Sequence, residues 1–187
     1  MCNKISGWLY KASTGRVALA SLIIFLVFSA LVLPGQSAAA EAYAGSQGSP
    51  DLSLFYSPDD LLAMAESYGA AGRQAYVRAR FTFDLAFPLV YTFFLAACTS
   101  WLLNRLLPAG SPWRLLNLLP LAAMLLDFIE NIAAALVIGR YPALTPLAAA
   151  IAPPATFLKW LLVVGSFLLL FVSGILSLAR NKGRAIR

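Results

Sequence analysis

Five polar side chains lie within apolar stretches of this sequence, where they could do chemistry. Asp127, Glu130 and Asn131 are spaced i, i+3, i+4, so they share one face of a helix. At a rise of about 1.5 Å per residue, Asp84 and Lys159 fall at a similar depth in neighbouring apolar stretches. Charged groups inside a membrane are costly, so each needs a partner or a function. The spacing therefore predicts a polar pocket that binds a small polar or lipid ligand, holds a cation or exchanges protons.

The same residues also fit a purely structural interpretation, in which polar groups join neighbouring helices. Glu130 would then pair with Lys159, and Asp127 would pair with Asn117 or with a backbone group. Asn131 would bridge two helices. The sequence leaves both interpretations open.

A second polar stripe runs through Tyr76, Arg80 and Asp84, at i, i+4, i+8 spacing. Tyr76 and Arg80 are candidates for the mouth of the pocket. The alternative is an Arg80–Asp84 pair at the membrane interface, with Tyr76 among the interfacial aromatic side chains.

The usual motifs of enzymes are missing from the sequence. It contains no His, no Gly-rich phosphate loop, no GxSxG and no HExxH. Its two cysteines, Cys2 and Cys98, do not form a CxxC pair. We therefore expect no metal, no cofactor and no enzymatic activity, with a lipid-modifying enzyme that uses Asp127 and Glu130 as an alternative.

The composition indicates what must position these side chains. Of the 187 residues, 60% are hydrophobic and 12% are charged, about half the charged fraction of a soluble domain. The apolar residues form four blocks long enough to cross a membrane as helices. We predict an all-α, integral membrane bundle of four antiparallel transmembrane helices in a single domain, 1–187. The predicted spans are 17–34, 78–104, 113–138 and 155–180, with a kink at Pro88.

A short amphipathic helix is predicted at 58–68, between the first and second spans. Ser57 can cap it, Pro58 suits its first position, and Asp59 and Asp60 suit its positive end. We expect this helix to lie on the extracytoplasmic face of the membrane.

Charge determines the expected orientation. The net charge is +6, and the basic residues flank the apolar blocks instead of forming a nucleic-acid-binding stripe. With the N-terminus inside, nine Lys and Arg residues are cytoplasmic and five are external, as the positive-inside rule requires. We predict a multi-pass protein of the inner membrane with both termini in the cytoplasm and no nucleic-acid partner. The first helix is expected to be retained as an anchor, with cleavage as a signal peptide at Ser37–Ala40 as the alternative.

The segments FTFDLAFPLVYTFFL (81–95), LPLAAMLLDFIENIAAAL (119–136) and FLKW (157–160) resemble a set of small bacterial four-helix membrane proteins. The resemblance covers most of the chain from Phe55 onward and implies no activity. The leading hypothesis is a non-enzymatic accessory subunit or ligand binder in the lipid bilayer, as a homo-oligomer or within a larger membrane complex. The alternative is an ion- or proton-coupled transport element, which would act as an oligomer.

Overall fold

The computed structural model describes residues 2–45 and 48–185, and these residues form an all-α structure without strands. Two short 3-10 helices are named here the Pro50 turn (Pro50–Leu52) and the Pro112 segment (Pro112–Leu118). The α-helices, in chain order, are α1 (Cys2–Ala12), α2 (Gly15–Leu31), α3 (Leu33–Ala44), α4 (Pro58–Ser67), α5 (Gly69–Arg80), α6 (Phe83–Leu106), α7 (Leu119–Arg140) and α8 (Pro146–Ala185).

Three stretches of the described chain are long and apolar enough to cross a membrane. They are Gly69–Leu106, Pro112–Arg140 and Pro146–Arg180. The α1 and α2 helices pass the same test only as a pair, and their axes are bent by 92°. The described residues thus supply three candidate spans, or four if the bent pair is one span.

Helix breaks fall at different places from those that proline predicts. Pro88 lies inside α6, and the break occurs earlier, at Phe81 and Thr82. Pro153 and Pro154 lie inside α8, which begins at Pro146 instead of near residue 155. Ala149, Ala152 and Ala155 in this part of α8 are buried, so packing outweighs the local cost of proline.

The first predicted span also has a different end. The predicted span ends at residue 34, but α2 ends at Leu31 and α3 begins at Leu33, with Pro34 in its first turn. Proline suits that position because the first amides of a helix have no acceptor within the helix. The helical path therefore continues to Ala44.

The α4 helix begins with the predicted cap. The hydroxyl of Ser57 accepts from the Asp60 amide at 3.1 Å, and the Asp60 carboxylate accepts from the Ser57 amide at 2.8 Å. Each residue thus satisfies an amide that the helix itself leaves free. Leu61 and Ala65 on the inner side of α4 are fully buried.

The chain divides into two compact units. Unit 1 comprises Met1–Val27, Val90–Ala123 and Leu161–Arg187, and unit 2 comprises Phe28–Leu89 and Met124–Trp160. In unit 1, α1 packs on the Pro112 segment. Ser6 donates to the side chain of Asn117 at 2.8 Å, and the Asn117 amide donates to Ser100 at 3.1 Å.

Unit 2 has a core of α4, α5, α7 and the start of α8. Tyr76, Val137 and Ile138 are fully buried in it. Close packing depends on Gly72, because a Cβ atom there would lie 3.1 Å from Cβ of Tyr68 and 3.4 Å from Cβ of Tyr43. This core brings the ionisable residues of unit 2 together.

Candidate functional site

Six ionisable side chains meet in unit 2, in a group that we call the ion cluster. Two cations each contact two carboxylates in it. The members come from the Pro50 turn and from α5, α6, α7 and α8. They are Asp51, Arg80, Asp84, Asp127, Glu130 and Lys159.

Arg80 forms the first half of the cluster and is only 5% exposed. Its guanidinium contacts Asp51 closely and lies 2.9 Å from Oδ2 of Asp84. It also lies over the ring of Tyr76, 4.6 Å from the ring centroid. The predicted Arg80–Asp84 pair is confirmed, and it joins the end of α5 to the first turn of α6 across the break between them.

Asp51 reaches the cluster from the Pro50 turn. The hydroxyl of Ser49 donates to its carboxylate at 3.0 Å, and the indole of Trp160 donates to its carbonyl oxygen at 2.9 Å. Burial raises the pKa of Asp51, but the positive charges of Arg80 and Lys159, together with hydrogen bonds from Arg80 and Ser49, lower it by more. The net pKa is below the ordinary value, so Asp51 stays ionised at neutral pH.

Lys159 forms the second half and is also 5% exposed. Its ammonium closely contacts the carboxylate of Glu130, which is completely buried, and lies 3.7 Å from Oδ1 of Asp127. The predicted pairing of Glu130 with Lys159 is confirmed. The contacts join α7 to α8.

Asn131 connects the two halves. Its side-chain amide donates at 3.1 Å both to the carbonyl oxygen of Asp84 and to the carboxylate of Asp127. The predicted bridge between helices is therefore present, from α7 to α6. Electrostatic interactions also reach from Lys159 to Asp51 and from Asp84 to Asp127, so the six groups form one network.

The structure also locates the other predicted residues. Tyr76 and Arg80, the candidates for the mouth of the pocket, are buried, Tyr76 fully and Arg80 to all but 5%. Asn117, one of the two kinds of partner expected for Asp127, bonds with Ser6 and Ser100 in unit 1, and Asp127 contacts Lys159 and Asn131.

Asp51 is the member of the cluster that the sequence did not reveal. It lies in a polar connection rich in Gly, Ser and Pro, with no periodicity that would assign it to a buried face. The Ser49-Pro50-Asp51 run does indicate a turn. A turn signal does not say which distant helix the turn packs against.

The cluster holds four carboxyl groups and two cations, which gives it an excess of acid. Side chains of Asp51, Asp84 and Asp127 are 21%, 16% and 12% exposed, whereas Glu130 is 0% exposed. Three of the acids thus reach the surface of the described structure, and the fourth lies at the inner end.

Besides the atoms joined in the ion pairs, four buried polar atoms of the site have no hydrogen-bond partner within the described residues. They are Oη of Tyr76, Nε of Arg80, Oε1 of Glu130 and Oδ1 of Asn131. Leaving such atoms unpaired costs about 1–3 kcal/mol each. An additional donor would satisfy the oxygens of Glu130 and Asn131 and could also serve Tyr76, whereas Nε of Arg80 is itself a donor and needs an acceptor.

The described residues contain no group of three or more His, Cys, Asp or Glu side chains placed to hold a metal ion. Comparisons with protein-family models, with curated proteins and with solved structures give no match. The resemblance to small bacterial membrane proteins stays a prediction, and the function must be argued from the ion cluster itself.

Proposed function

We propose that this chain is a non-enzymatic integral membrane protein that binds a small cationic ligand at the ion cluster. One observation carries the proposal: carboxyl groups outnumber cations by four to two in a buried network. With all four carboxyl groups ionised, the cluster would carry two negative charges that its own cations do not balance. An added monovalent cation would halve that excess.

The free acceptors favour a ligand that also donates hydrogen bonds. Oε1 of Glu130 and Oδ1 of Asn131 lie beside the Lys159 and Asp84 contacts, and neither has a donor within the described structure. A small ammonium group carries one positive charge and several N–H donors. It would reduce the excess from two negative charges to one and would donate to the free acceptors, and its attraction would be strong in surroundings of low dielectric constant.

The proposed setting is the inner membrane, with both termini in the cytoplasm. Charge along the chain supports it. Unit 1 contains nine Lys and Arg residues and no acid. Unit 2 contains five Lys and Arg residues and all eight acids. The positive-inside rule then places the residues of the ion cluster towards the outer surface.

The test measures the binding of methylammonium to the full chain in lipid nanodiscs by titration calorimetry. Glu130→Gln keeps the shape of the side chain and removes one charge from the cluster. We expect it to weaken binding at least tenfold. Glu66→Gln is the matched control, since Glu66 is exposed on α4, outside the cluster.

Equal affinities of the two variants would contradict the proposal, as would the absence of binding to a wild-type protein that inserts and folds. If Glu130→Gln does not fold, its failure to bind methylammonium says nothing about the ion cluster. Asp84→Asn, at a partly exposed member of the cluster, is the second variant for that case.

The second candidate is a proton- or cation-coupled transport element that acts as an oligomer. The observation that favours it is the sharing of Lys159 between Glu130 and Asp127. A proton or cation that neutralises one carboxylate leaves the other to hold the lysine, so the network can change charge without losing every contact.

Transport predicts that a pH gradient drives proton flux through the protein in liposomes that contain a pH-sensitive dye. Glu130→Gln would abolish this flux, and Glu66→Gln would leave it unchanged. Ligand binding without flux would support the first candidate over the second.

A further inference from the structure

A hollow of about 820 Å³ lies in unit 1, between α1 and the connection from α6 to the Pro112 segment. Its polar and charged lining includes Asn3, Lys11, Asn104, Ser111 and Arg114. None of the residues that line it is acidic. The hollow is therefore a positively charged space and differs in sign from the ion cluster.

Arg114 is fixed at the wall of this hollow. Its guanidinium donates to the Asn104 side chain at 2.8 Å and to the Leu107 carbonyl oxygen at 3.2 Å, and it lies 3.8 Å from the centroid of the Tyr10 ring. These hydrogen bonds use two of five N–H donors. Three N–H donors remain, and Lys11 on α1 supplies a second positive charge to the hollow.

Exposed apolar side chains lie beside the basic hollow. Leu115 lines it and is 41% exposed, and Trp113, between the lining residues Pro112 and Arg114, is 65% exposed. Ile5 and Trp8 are exposed on the other side of α1. Because α1 is bent by 92° from α2, it would lie along the membrane surface if α2 crosses the membrane. Tryptophan is common at that depth, where one side of the ring meets lipid.

We infer that the hollow binds the phosphate headgroup of an anionic phospholipid. The two cations match the phosphate, and the exposed Trp113 and Leu115 match the acyl chains, which a free phosphate ion lacks. The absence of acid from the whole of unit 1 adds to the attraction. The inference rests on the proposed insertion into a membrane, but it does not depend on the ligand of the ion cluster.

The test titrates the full chain in detergent micelles with short-chain phosphatidylglycerol and counts bound lipid by native mass spectrometry. We expect Lys11→Gln to weaken binding about fivefold, the effect of one basic residue near an anionic lipid. Lys11→Arg should restore it. Arg16→Gln is the matched control, because Arg16 is exposed nearby, at the start of α2, but does not line the hollow.

Three outcomes would overturn the inference. If Lys11→Gln and Arg16→Gln weaken lipid binding equally, the lipid is attracted by the overall positive charge of the N-terminal helices and not by the hollow. Equal binding of phosphatidylcholine would show that the headgroup charge is not recognised. Displacement of the lipid by inorganic phosphate at the same concentration would indicate a site for a soluble anion. Methylammonium binding, measured on the same samples, separates a failure here from a failure of the proposed function.

Discussion

At the scale of single residues, the ion cluster is held by buried charges whose loss would be costly. Arg80 is 5% exposed and contacts two carboxylates, so its removal leaves two negative charges close together in the interior. Breaking a buried ion pair from one side typically costs about 3–5 kcal/mol, far more than an exposed pair. The geometry of Arg80 therefore predicts a large effect on stability.

We expect Arg80→Gln to lower the free energy of unfolding by about 3 kcal/mol. Chemical unfolding in mixed micelles, followed by tryptophan fluorescence, measures this change. Arg78→Gln is the control two residues earlier on α5, where the side chain is exposed. It should change stability by less than about 0.5 kcal/mol.

A double variant separates lost pairing from lost packing. Asp51→Asn removes one of the two carboxylates that Arg80 neutralises, so adding it to Arg80→Gln should restore part of the lost stability. Strictly additive losses would show that Arg80 stabilises the fold by packing instead of by its charge.

The residues show what the sequence could and could not predict about the site. Glu130, Asn131 and Asp127 share a helix, so the 3.6-residue period by itself places them on one face. Asp84 and Lys159 follow from their depth in apolar helices. The presence of Asp51 in the cluster and the burial of Tyr76 depend on how a turn and a helix pack against residues far away in the sequence. Local sequence patterns do not predict such contacts.

At the scale of helices, hydrophobicity predicted which segments are helical more reliably than it predicted their ends. The capping signal at Ser57–Asp60 is local and complete, and the helix begins where this signal places it. The start of α8 is different, because Pro153 and Pro154 argue against a helix there. Alanines on that part of α8 are buried in the core of unit 2, and local sequence patterns do not reveal this tertiary contact.

The capping box of α4 leads to a prediction of pH dependence. Hydrogen bonds from the Ser57 amide and hydroxyl lower the pKa of Asp60. A carboxyl group with a lowered pKa in the folded state stabilises the fold above its unfolded pKa of about 3.9. This contribution is lost as the pH falls through the lower, folded pKa.

We therefore expect amide protection in the first turn of α4 to decrease at acidic pH, after correction for intrinsic exchange rates. Asp60→Asn should weaken this protection near neutral pH and remove most of its pH dependence. The control Asp59→Asn removes one negative charge next to Asp60 but leaves the Ser57–Asp60 hydrogen bonds intact. Its amide protection should depend on pH in the same way as that of the wild type. Hydrogen exchange by mass spectrometry compares the three proteins.

At the scale of the whole molecule, the charges are divided along the chain. All eight acids lie in Phe28–Leu89 and Met124–Trp160, and the other segments contain basic residues only. The fold class was predictable from composition, since long apolar blocks satisfy their backbone groups only as helices in lipid. The number of spans was harder to predict, because the first apolar block is a helix that qualifies only together with its bent neighbour.

The division of charge predicts a topology that cysteine labelling can test in intact spheroplasts. Cys2 is exposed on α1 and should be protected from a membrane-impermeant maleimide until the membrane is opened, because the basic segment around it would face the cytoplasm in the proposed orientation. Leu54, which is 53% exposed between α3 and α4, should react from outside as Leu54→Cys in a Cys2→Ser background. Cys98 is buried and should react little in either protein. Labelling of Cys2 in sealed spheroplasts, with protection at position 54, would reverse the proposed orientation and place the ion cluster towards the cytoplasm.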